Sequence, residues 1–232
     1  MSWLLRGSLC LTIILAFDLE RLPAAESANR TGKLEAKSDV DPATLRLTIN
    51  VHNQAHVEDE VLRKAEQEAS KIFEELGIFT EWLDCPPISE ELSNFQGCQQ
   101  IGFTVLSLRI FPRLEPIQGG FRKTNMGVAL VEEQGRVYAS VFYQRVTEVA
   151  ESGRVSTGKV LGYAIAHEIG HLLLGSNSHS MAGLMKARWN DGDLKLLDIG
   201  RLHFSTKEGA VMRADVVSRN SEARNRLHVA AR

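Results

Sequence analysis

Between Val160 and Leu174 the chain is apolar on nearly every side of a helix, yet the run also carries His167, Glu168 and His171. A helix apolar all round belongs in a core. Polar groups buried there without partners cost several kcal/mol, roughly. The fold must therefore supply partners, and a metal ion resolves the conflict. Residues four apart share one helix face, so His167 and His171 can aim at a single point. Zinc held by both would lie about 2.0–2.1 Å from each nitrogen. Glu168 stands one position past the first imidazole, where it reaches a water at the ion and suits a general base. Gly162, Ala164, Ala166 and Gly170 are small enough to let neighbouring backbone come close. Ser156 or Thr157 reads as the N-cap, and Gly175 as the stop, where a left-handed conformation is wanted.

Past Gly175, Ser176-Asn177-Ser178 is turn material, which lets the chain double back and offer His179 as a third ligand. Three protein ligands leave the fourth zinc position open, the catalytic pattern. His179 could instead be a surface turn histidine, with Asp191 or Asp193 completing the set. The string resembles the metzincin clan of zinc metallopeptidases, and above all its matrix-metalloproteinase-like members, whose pattern is HExxHxxGxxH followed by a methionine turn. His167, Glu168 and His171 match it directly. Gly175 falls one residue late, His179 two residues late, and Ser180 follows the third His. Gly183-Leu184-Met185 resembles the Met-turn, making Met185 the turn methionine at 185 − 171 = 14 residues from His171. The resemblance implies one catalytic Zn2+ on His167, His171 and His179, with Glu168 as the catalytic base. It also implies a peptide or protein substrate laid along an edge strand, for which Gly127–Val131 is the candidate.

The rest of the chain reads as scaffold. Leu45, Leu47, Ile49 and Val51 alternate as in a half-buried strand. Val57, Val61, Ala65, Ala69, Ile72, Phe73 and Leu76 form one helical stripe ended by Gly77. Strands are expected at 78–83, 101–110, 127–131 and 136–142, the last two joined around Gln134-Gly135. Strand, helix, strand implies a parallel crossover. Ser205 to Ser218 reads as a C-terminal helix and Asn220 to Arg232 as a polar tail. The expected architecture is α+β and zincin-like: a mixed twisted sheet with a backing helix, an active-site helix and a small C-terminal subdomain. The domain spans 44–218, preceded by a flexible lead-in at 26–43. Tyr138, Tyr143 and Tyr163 are chemical candidates for an oxyanion partner, and Trp189 reads as a hydrophobic anchor. His52 and His56 read as loop histidines.

Residues 1–25 look like a secretory signal peptide: Arg6, an apolar core from Leu9 to Phe17 too short to span a bilayer, then small residues at Ala24 and Ala25. No other segment suggests a stable membrane span. Export places the protein outside the cytoplasm, secreted or periplasmic, where Cys85 and Cys98 are expected to form one disulfide. A net charge of −2 offers no basic excess for nucleic acid. The function these residues support is a secreted zinc-dependent endopeptidase. Two alternatives stay open: a non-proteolytic zincin-fold binding or scaffold protein of the cell envelope, and a zinc hydrolase of a non-peptide amide or ester. Oligomeric state does not follow from the sequence.

Overall fold

A five-stranded sheet in the order β2-β1-β3-β5-β4 forms the frame of the computed structural model. The structure describes residues 45–86, 98, 102–113, 125–131, 137–175 and 178–230. All lie in one unit, Asp39–Arg232. The expected signal peptide, lead-in, Gln134-Gly135 connection and Ser176-Asn177 turn fall outside the described residues.

Strand β1 (Arg46–Asn53) is central, pairing in parallel with β2 (Phe79–Cys85) and with β3 (Val105–Phe111). Its alternation buries Leu47, Ile49 and Val51 completely or nearly so. His52 belongs to this strand rather than to a loop; it is buried, and its Nδ1 lies 3.1 Å from the Pro86 carbonyl. Helix α1 (Asp59–Glu74) connects β1 to β2. Asp59 and Glu60 in its first turn suit the positive end of the helix dipole. At its far end Gly77 takes φ +72°, while its N–H bonds Glu74 and that of Ile78 bonds Phe73. This paired closure needs a residue free to adopt positive φ, which glycine supplies.

β3 begins at Val105, four residues later than the sequence suggests, because Phe103 and Thr104 form a turn. It pairs in parallel with β5 (Val137–Phe142), and β4 (Gly127–Val131) runs antiparallel to β5 at the margin of the sheet. The architecture is therefore mixed α/β, as expected. Two helices escaped the sequence reading: α2 (Tyr143–Gly153), which follows β5 directly, and α4 (Asp191–Asp198). Cys85, at the end of β2, is disulfide-bonded to Cys98.

Helix α3 (Thr157–Leu174) lies across α1. A Cβ on Gly162 would stand 2.5 Å from the Ala65 carbonyl oxygen, so the two helices meet where only glycine fits. The terminal helix α5 (Thr206–Ala230) runs well past Ser218, through the expected polar tail. Polar residues dock it: Arg219 donates to the carbonyls of Phe103 and Leu172, and Asn220 donates to that of Arg46. A guanidinium on a last-turn carbonyl of α3 is also favourable to that helix's negative end. Among the described residues no helix is long and apolar enough to cross a membrane.

Candidate metal centre

Ser156 caps α3, its side chain accepting from the Lys159 N–H. From there the helix is buried almost throughout, including His167 and Glu168. The structure brings His167, His171 and His179 together: one nitrogen from each lies within 4.8 Å of the others. His171 Nε2 is 3.1 Å from His167 Nε2 and 3.1 Å from His179 Nε2. Two ligand nitrogens on a tetrahedral zinc at about 2.0–2.1 Å would sit about 3.3–3.4 Å apart. The two 3.1 Å spacings are close to that, and the His167–His179 pair lies within 4.8 Å.

Tautomers sharpen the argument. His167 Nδ1 lies 2.9 Å from the Leu184 carbonyl oxygen, which can only accept. Nδ1 therefore carries the proton, and the Nε2 lone pair points at the centre of the three rings. His171 Nδ1 lies 2.8 Å from Ser178 Oγ. Where Nδ1–H donates to that hydroxyl, a second lone pair faces the first. Converging lone pairs call for a cation, and this donor set of neutral imidazoles suits zinc. Burial, the largest cause, pushes the pKa of His167 down to about 4 and that of His171 to about 3. Both rings are thus neutral, as ligands must be, across the ordinary pH range. The site can hold one zinc ion.

Among the described residues neither acid considered as a substitute ligand joins the three imidazoles. Asp193 Oδ2 accepts from the Asn190 N–H at 2.7 Å and from Lys186, closing the capping box of α4. Asp191 is exposed in the first turn of the same helix. Gly175 ends α3 with φ +90°, but ψ 165° takes it outside the left-handed helical region expected there. That combination is open essentially to glycine alone.

Below the imidazoles the chain makes a tight turn. Ser180 N–H bonds the Met185 carbonyl at 2.9 Å, and Lys186 N–H bonds that of Gly183 at 3.3 Å. Met185 is fully buried. A Cβ on Gly170 would lie 2.8 Å from its sulfur and 3.0 Å from the Phe204 ring. Leu184 N–H donates to the His203 carbonyl at 2.9 Å.

The centre opens on a cavity of about 720 Å³, walled by β4, α2, α3 and residues 186–189. Gly127, the first residue of β4, has no room for a side chain: a Cβ would fall 2.5–2.6 Å from Glu168 Cγ, Cδ and Oε1. Glu168 thus lies against strand backbone beside the cavity, and burial pushes its carboxyl up to about 8. Tyr138, Tyr143 and Tyr163 do not line the cavity, which removes the structural basis for an oxyanion role. Tyr138 lies under Arg109, and Tyr163 packs edge-on to Trp189. Trp189 lines the cavity and donates Nε1–H to Leu184 oxygen. The sequence reading missed the parts played by Leu184, Ser178, Gly127 and Phe204. Backbone carbonyls carry no sequence signal, and Gly127 is visible only as the opening of an apolar strand.

No family model matches the sequence, and no curated protein matches it. Two of the solved structures similar to it are zinc peptidases or metzincins by description. One is a zinc-dependent peptidase from Methanocorpusculum labreanum (strain Z), with TM-score 0.47 and 19% identity over 71% of this chain and 99% of that one. The other is an archaemetzincin from Methanopyrus kandleri, with TM-score 0.46 and 14% identity over 74% and 96% of the respective chains.

Proposed function

We propose that this chain is an exported zinc-dependent endopeptidase, with zinc on His167, His171 and His179 and Glu168 as general base. One observation carries the reading: three imidazole nitrogens converge on the wall of an open cavity beside a buried carboxyl. A structural zinc site would be closed by a fourth protein ligand, whereas three leave a position for reactants. Zinc bound there supplies Lewis acidity and an acidified water.

Glu168 takes the proton of the attacking water and delivers it to the leaving amine. Burial alone raises the Glu168 pKa, and a cation bound beside it would favour the carboxylate that a base must be. Gly127 fixes where the carboxyl lies, because any larger residue would displace it. Among the described residues nothing pairs with the outer edge of β4. An extended peptide hydrogen-bonded to that edge would pass beside Glu168. Met185 serves as the turn methionine, filling the space under Gly170. Export is supported by the apolar N-terminal pattern and by the Cys85–Cys98 disulfide.

Glu168→Ala tests the assignment. Cleavage of a denatured protein substrate should disappear while zinc stays near one per chain. Surviving activity would remove Glu168 from its role.

A further inference from the structure

Trp189 touches the cavity and the metal ligands at once. Its Nε1–H donates to the Leu184 carbonyl at 3.1 Å, and His167 Nδ1–H donates to the same oxygen at 2.9 Å. A carbonyl oxygen has two lone pairs, so these two donors use both. The indole also stands edge-on to the His167 ring, with centroids 6.0 Å apart and planes at 84°. Its other neighbour is the buried Tyr163 ring, again edge-on at 6.4 Å. The indole therefore has a fixed seat, and the oxygen it holds is the one that sets the His167 tautomer.

We propose that Trp189 is a positioning residue of the metal centre. It co-occupies the Leu184 carbonyl and so fixes the direction in which His167 presents Nε2. This rests on the reading that the three histidines hold zinc. Two effects oppose each other when the indole N–H is removed. A second donor on one oxygen weakens the first by a fraction of a hydrogen bond, so removal strengthens the His167 bond slightly. Removal also loses one whole restraint on the carbonyl, which can then rotate. The larger effect is the lost restraint, and outer-shell partners of ligating histidines typically govern affinity by about 10- to 100-fold.

Trp189→Phe keeps one aromatic ring and deletes the Nε1–H donor together with the volume of the second ring. Zinc titration of the full chain against a competing chelator should show binding about tenfold weaker than wild type. The visible bands of the Co2+-substituted protein should shift, since they report ligand direction. Affinity within twofold of wild type, with unshifted bands, overturns the proposal. If the variant does not melt cooperatively, the wild-type chain carries the test. Its Trp189 indole ¹⁵N–H signal should move on one equivalent of zinc, and an unmoved signal overturns the proposal. Wild-type protein that binds no zinc at all would instead sink the metal-site reading, and this proposal with it.

Discussion

The two halves of the centre are held in different ways. His167 sits in the buried body of α3, and its outer nitrogen meets a carbonyl that can only accept. His171 is in the same helix but leans on Ser178, a hydroxyl that can give or take a proton. His179 is exposed, on a segment that leaves the helix through the glycine-only conformation of Gly175. The two helix imidazoles are therefore placed by α3, with the tautomer fixed only at His167, while His179 is placed by the loop that carries it. The difference bears on His179, which the resemblance to the metzincin pattern would place two residues late. Helix spacing dictates the first two ligands, whereas a loop needs only the right length and a partner or two.

That contrast can be broken most sharply by removing one ligand from each half. His167→Ala should cost more zinc affinity than the 10- to 100-fold typical of outer-shell partners. His179→Ala should weaken binding by less and leave the helix pair competent, while Asp193→Asn should leave it unchanged. Isothermal titration of the three variants would rank them, and equal losses for His167 and His179 would erase the distinction. Gly175→Ala acts on the loop half alone. Forcing a Cβ into that backbone conformation should cost about 1–3 kcal/mol of stability by thermal melting, with weaker zinc binding as the loop shifts.

The last test concerns Glu168 and pH. In zinc-free protein burial raises its folded pKa from 4.5 to about 8. The folded state then binds more protons than the unfolded one between those values. The stability this group contributes is complete below pH 4.5 and is lost as pH rises through 8. Glu168→Gln should therefore stabilise zinc-free protein more at pH 8.5 than at pH 5. Melting scans at the two pH values measure the gap, and zinc should narrow it by favouring the carboxylate. A gap of opposite sign would mean the carboxyl is not desolvated.

Much of this fold was legible because its strongest signals are periodic. The α1 stripe, the alternation of β1 and the apolar run of α3 each report burial directly, and Gly77 and Gly175 mark true ends. Helices α2 and α4 were not seen. They are short and amphipathic, and α2 starts without a break at the end of a strand. The extent of α5 was hidden because its second half is polar; Arg219 and Asn220 read as solvated residues until their carbonyl partners are known. In the centre, the sequence carries the imidazoles and the carboxyl but not what aims them. Leu184 acts through its backbone and Gly127 through what it lacks, so neither has a side-chain signature. The tyrosines show the converse: right chemistry, wrong place.

The residues that meet His167 and Gly170 from outside α3 follow them in the chain. Leu184, Met185, His203 and Phe204 all lie C-terminal to His179, the last two by 203 − 179 = 24 residues or more. A ribosome therefore releases the full ligand set before it releases what supports it. A nascent chain stopped short of Phe204 would display three histidines over an unfilled gap. Such a chain would keep every imidazole and still lack the ring that closes on Gly170.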